Sequence, residues 1–197
     1  MSNQIMTEIS VDLDNRDKNT ALIRLILVFP VLIFLSSFSN FTAGAMGIAR
    51  GILFLPTILT LLFRNKYPSY VLAFNKALLE LSNRVTIYAL VLTDAYPSIE
   101  GNEKIRLIYP EIEGGKRLNP WLPLIKWLLA IPLYILGAIY GIYALALTFL
   151  AWIKVLKTGT YPEDKAEEVV KVIAYWNRVH GYAFLLLTDE YPSFSLN

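Results

Sequence analysis

The chain states one long pattern twice. Asn83-Arg84-Val85, Tyr88-Ala89 and Thr93-Asp94-Ala95-Tyr96-Pro97-Ser98 close its first half; Asn177-Arg178-Val179, Tyr182-Ala183 and Thr188-Asp189-Glu190-Tyr191-Pro192-Ser193 close its second. Tyr67-Pro68 and Tyr161-Pro162 stand 161 − 67 = 94 positions apart, and the run from Arg24 to Phe29-Pro30 is echoed from Lys126 to Ile131-Pro132. A period this long is a duplicated domain-sized unit and not a solenoid. It divides the 197 residues into repeat one, 1–100, and repeat two, 101–197. Whatever one half builds, the other is expected to build again.

What each half builds follows from where its charges are missing. The chain is 55% hydrophobic and only 17% charged, more apolar than a soluble domain of this size requires. Charge-poor runs extend from Leu25 to Arg50, Gly51 to Phe63 and Trp127 to Ile153. About 20 apolar residues suffice to cross a bilayer's hydrocarbon core. The expectation is an α-helical integral membrane protein of two tandem repeats. Each repeat is a short strand, a transmembrane helical hairpin and an interfacial amphipathic helix, giving four spans.

The alternations Thr7–Leu13 and Lys104–Tyr109 read as the strands, and the expectation is a small sheet outside the bilayer that 98–100 and 194–196 are candidates to join. The first hairpin runs from Ala21 to Phe38, kinked at Pro30, and back from Ala43 to Phe63. The second runs from Trp121 to Leu136 and from Gly141 to Leu156, bending at Gly137 and Gly141. One long kinked helix over 119–156 is the alternative, because that connection is almost without polar residues. Thr160-Tyr161-Pro162-Glu163 reads as a capping box opening the second amphipathic helix. Its polar stripe is Glu167, Lys171 and Arg178, and the first copy has Lys76, Glu80, Asn83 and Arg84.

Of 18 Lys and Arg residues, only Arg50 falls in or beside a hairpin turn, which places both termini and the central loop in the cytoplasm. The polar stretch Met1–Thr20 does not read as a cleavable signal. A net charge of +2 and the lack of any basic groove motif argue against nucleic acid. The chain has no cysteine, which excludes disulfide and thiol chemistry.

The order strand, kinked hairpin, Tyr-Pro, amphipathic helix resembles the prokaryotic integral-membrane family catalogued as the domain of unknown function numbered 4389. The residues that carry the resemblance are Lys126–Pro132, Thr158–Pro162 and Leu187–Phe194. The first half is a diverged copy, with 67 − 30 = 37 positions from Pro30 to Tyr67 against 161 − 132 = 29 from Pro132 to Tyr161. The resemblance implies a multi-pass protein of the prokaryotic inner membrane and supplies no activity.

Four side chains are candidate lipid or partner contacts. Arg50 is the one charge inside an expected span, where it snorkels to lipid phosphate, meets a partner or lines a pathway. Trp121, Trp152 and Trp176 fall near expected membrane boundaries. Asn83, Arg84, Asp94, Tyr96, Asn177, Arg178, Asp189 and Tyr191 form the repeated motif, and Arg84 and Arg178 are the expected partners of the two aspartates. His180 is the single histidine, so no N/S metal site can be built within one chain. Asn40-Phe41-Thr42 matches a glycosylation sequon, a pattern that arises by chance. No nucleophile, dinucleotide or phosphate-loop motif is present, so no enzymatic activity is expected. No cofactor is evident, and a bound lipid is plausible. The expected function is that of a non-catalytic accessory or stabilising subunit of a larger inner-membrane complex, with membrane lipids and other membrane subunits as partners. The alternatives are a small transporter or channel, or a lipid-handling or membrane-shaping protein.

Overall fold

A computed structural model describes residues 3–38, 53–101 and 103–196. Arg50, the sequon at 40–42 and residues 43–52 of the returning first span lie outside the described residues. The chain is mostly helical, in the order β1 (Met6–Ile9), α1 (Lys18–Leu27), α2 (Phe29–Ser37), α3 (Phe54–Arg64), α4 (Ser69–Ala89), β2 (Ile105–Ile108), α5 (Pro123–Leu129), α6 (Ile131–Thr158) and α7 (Glu163–Ala183). β1 and β2 pair antiparallel, with Met6 opposite Ile108 and Ile9 opposite Ile105. The segments 98–100 and 194–196 stay outside this two-stranded sheet.

Proline sets the helix breaks. A proline has no N–H to give the carbonyl four residues earlier, and its ring clashes there. α1 gives way to α2 at Val28, two residues before Pro30, and α5 gives way to α6 at Ala130, two residues before Pro132. Val28 and Ala130 keep right-handed helical dihedrals, so each break is a kink and not a turn. The kink expected at Pro30 is therefore present.

The second hairpin is not. α6 runs unbroken for 28 residues through Gly137 and Gly141, so residues 119–156 form a kinked α5–α6 and not two antiparallel spans. The physical reason is that Gly137 serves packing. A Cβ there would lie 2.7 Å from the Trp176 ring of α7. The glycine lets that indole close on α6, while the backbone hydrogen bonds stay helical. The Gly137→Ala variant is expected to lose about 1 kcal/mol, the low end for overpacking because half-buried Trp176 has room to shift. Its unfolding midpoint beside that of the parent protein in one detergent checks this.

Two helices are long and apolar enough to cross a membrane: α1–α2 over Lys18–Ser37 and α6 over Ile131–Thr158. Buried positions make up only 28% and 22% of their most apolar stretches. The four expected spans reduce to these two among the described residues.

α4 and α7 are each 21 residues long and begin directly after Tyr67-Pro68 and Tyr161-Pro162. Pro162 stands at the N-cap of α7 with no side-chain cap, so the capping box does not form. Thr160 instead shares a hydrogen bond with Thr158. The helices before them, α3 and α6, end on left-handed caps at Asn65 and Gly159, the conformation that glycine and asparagine tolerate best. The halves are interleaved. Tyr67 N–H donates to Gly114 C=O, and Tyr161 N–H donates to Leu13 C=O. β1 packs on α7, β2 on α4, and α1 on α6.

Candidate functional site

Each amphipathic helix ends in a turn that presents a Thr-Asp pair. Val91 and Leu186 carry positive φ values of 65° and 55°, a conformation that costs a bulky residue energy. The turn is held by Leu92 N–H to Ile87 C=O and by Leu187 N–H to Gly181 C=O. The Thr93 and Thr188 hydroxyls accept from the N–H of Ala95 and Glu190, fixing both aspartates in the same pose.

Around Asp94 the site is built from α1 and the two residues ahead of it. Arg16 grips the carboxylate through two hydrogen bonds, at 2.9 and 2.7 Å, and Arg24 adds a third at 2.9 Å. Asp17 N–H donates to the same carboxylate. The side chains of Arg16 and Arg24 are 0% and 3% exposed. Arg16 satisfies its other nitrogen on the Asp12 and Val91 carbonyls. The Arg24 guanidinium also lies over the Tyr88 ring at 5.1 Å.

Around Asp189 the plan is the same with fewer charges. Lys126, from α5, reaches the carboxylate and the Thr188 carbonyl, each at 2.6 Å, and lies 5.2 Å over the Tyr182 ring. Asn119 N–H donates to Asp189 as Asp17 N–H does to Asp94. Leu118 stands where the first site has Arg16.

Both aspartates therefore pair with cations, but not with the expected ones. Arg84 donates to the carbonyls of Ser98, Ile99 and Glu100, and Arg178 to that of Ser195. Those arginines pin the segments that follow each aspartate. The reason is distance along the helix: each lies more than two turns before its aspartate, on α4 or α7 itself. Arg24 and Lys126 arrive from α1 and α5, and Arg16 from the segment just ahead of α1.

Burial alone would raise the Asp94 carboxyl. The Arg16 hydrogen bonds, the Asp17 N–H and the charge of Arg24 outweigh it and hold the group below the usual carboxylate range. Asp12 behaves alike: burial opposes, and Lys104 and Thr93 win. Both groups are depressed in the folded state, so their stabilisation is present above the unfolded carboxylate value of about 3.9 and is lost as pH falls through the lower folded values. The unfolding midpoint is expected to hold between pH 8 and 5 for these groups and to fall below about pH 4. A pH series of thermal unfolding checks it. Lys126 is shifted the other way: burial lowers it, against the opposing pull of Asp189.

Asn83 and Asn177 meet at the centre of the molecule, each amide donating to the other's oxygen at 2.8 and 2.9 Å. Asn177 also donates to Thr7 of β1. Asn83 was expected on a polar stripe of its amphipathic helix; it and Asn177 are both buried instead, because each is the other's partner. Beside them a cavity of about 430 Å³ lies between α4, α6 and α7. Its wall contains residues in matched positions, Leu78 and Val172, Leu79 and Ile173, Thr86 and His180, each pair 94 apart, and Gly141 and Ala144 of α6.

The remaining candidates divide. Trp121 is exposed, as a boundary residue would be. Trp152 donates to the Ala21 carbonyl, tying α6 to α1. Trp176 packs on Gly137 and lines the cavity. Tyr96 and Tyr191 stack edge-on against Tyr88 and Tyr182. The His180 ring lies at 2.7 Å from the Trp176 carbonyl. Among the described residues no group of three or more His, Asp or Glu side chains comes together as a metal site.

No curated protein and no solved structure matches the chain. Residues 123–195 match a family model described as Domain of unknown function (DUF4389). The match takes in Lys126, Asn177 and Asp189, so the second charged site and helices α6 and α7 lie within the matched segment. This is the family that the motifs of the second half resemble, and the matched segment contains all three of them.

Proposed function

We propose that the chain is a non-catalytic protein of the prokaryotic inner membrane that works as an accessory or stabilising subunit through lipid and protein contacts. The observation that carries this is α6: 28 residues, apolar, with 22% of its most apolar stretch buried. A soluble protein does not leave such a helix uncovered. The buried polar groups support the non-catalytic part of the reading. Arg16, Lys126, Asn83 and Asn177 all spend their hydrogen bonds inside the fold, which leaves no poised acid, base or nucleophile at these sites.

The matched bonds further support a duplicated unit with pseudo-two-fold symmetry. Lys126 follows Arg24 by 126 − 24 = 102 positions, Asn119 follows Asp17 by 119 − 17 = 102, and Ile108 follows Met6 by 108 − 6 = 102. Equivalent residues that pair with each other, as Asn83 with Asn177 and Met6 with Ile108 do, lie on such an axis. On the positive-inside argument the termini and the central loop are cytoplasmic. A second reading, lipid handling, is favoured by the largely apolar cavity.

Gentle solubilisation from native membranes through an affinity tag, followed by native gel and mass spectrometry, tests the proposal. A stoichiometric membrane-protein partner supports the accessory role. A lone monomer carrying tightly held lipid sinks it in favour of lipid handling.

A further inference from the structure

We infer that α6 lies along the membrane surface, seated in one leaflet together with α1–α2, and does not cross the bilayer. This rests on the membrane reading above.

The argument is one of depth. α6 is about 42 Å long at 1.5 Å per residue, and the hydrocarbon core is about 30 Å thick. Any 20-residue stretch of α6 that crossed would include 139–150, and its midpoint would fall within that segment. α7 packs against it. Leu133 of α6 meets Tyr175, and Gly137 meets Trp176; Ala144 shares the cavity wall with Val172 and Ile173. A crossing α6 would thus carry the middle of α7 into hydrocarbon with it. Directly before Val172 stands Lys171, exposed and paired with Glu168 one turn earlier.

The sheet would follow. Thr7 is bonded to Asn177, Ile5 sits against Gly181, and the next cross-strand pair is Glu8 with Arg106, both on the exposed side. Four charges at mid-depth, each costing about 2.5–3.5 kcal/mol, outweigh any gain from spanning.

Laid flat, the same structure has no conflict. The two ends of α6 touch equivalent charged sites. Its C-terminal end meets the first, where Arg16 N–H donates to Gly159 C=O. Its N-terminal end follows Lys126 at the second. The sheet lies between the two sites on the watery side. Ile135, Ile142 and Phe149 of α6, with Ile26 and Phe29 of α1–α2, are exposed and enter the acyl region.

The natural absence of cysteine makes the test direct. Arg117→Cys, ahead of α5, and Lys157→Cys, at the end of α6, are treated with a membrane-impermeant maleimide in sealed vesicles of each orientation. Ile142→Cys marks the middle. The inference expects both end positions to react in vesicles of the same orientation, and the middle position to react only after detergent. End positions that react in opposite orientations overturn it while leaving the membrane reading intact. Reaction of Ile142→Cys in intact vesicles of either orientation, with the protein in the soluble fraction, overturns both.

Discussion

Replacing Asp94 by alanine is expected to cost about 3–5 kcal/mol, the loss typical of a buried ion pair stripped of one partner. Two guanidinium groups, Arg16 and Arg24, would be left in the interior without a counter-charge, and the Asp17 N–H would lose its acceptor. Asp94 itself is 24% exposed, so water entering the gap holds the loss to the lower part of that range. Asp189→Ala is expected to cost less, since it strands the single cation Lys126, which keeps the Thr188 carbonyl. Arg16→Leu should be better tolerated than Asp94→Ala, because position 118 in the matching site already holds leucine. Denaturant unfolding of the three variants in one detergent gives the order directly. An Asp94→Ala variant no less stable than Asp189→Ala would contradict the charge accounting.

The asparagine pair gives the second large effect, with a different signature. Asn83→Leu leaves the Asn177 carbonyl oxygen buried without its donor, at a cost of about 1–3 kcal/mol. The double variant Asn83→Leu/Asn177→Leu removes both partners and places apolar volume beside a largely apolar cavity, so most of the loss should return. A double-mutant cycle measures that coupling. Additive losses would mean that the two amides act independently of each other.

The helices were legible because proline, glycine and charge punctuate them locally. Pro30 and Pro132 mark kinks, Tyr67-Pro68 and Tyr161-Pro162 mark helix starts, and Asn65 and Gly159 mark left-handed ends. The strands were legible from alternation. What failed was anything needing the third dimension. Gly137 looks like a bend in one dimension, but in the fold it is a seat for Trp176, a residue 39 positions away. Asn83 looks like a surface polar residue until it and Asn177 are seen to satisfy each other. The partners of the two aspartates were missed although a signal for them existed. Arg24 and Lys126 each stand six residues before the repeated proline, so a recurring cation accompanied the recurring aspartate. Arg16 had no such signal, because Leu118 replaces it in the other half.

These contacts describe a fold whose polar bonds are spent holding two kinked apolar helices against two amphipathic ones, with outer apolar faces exposed that the proposed function assigns to lipid. Extraction of the membrane fraction tests that claim most directly. The account predicts that the protein resists high salt and alkaline carbonate and is released only by detergent. Recovery of folded protein in the carbonate supernatant would contradict it.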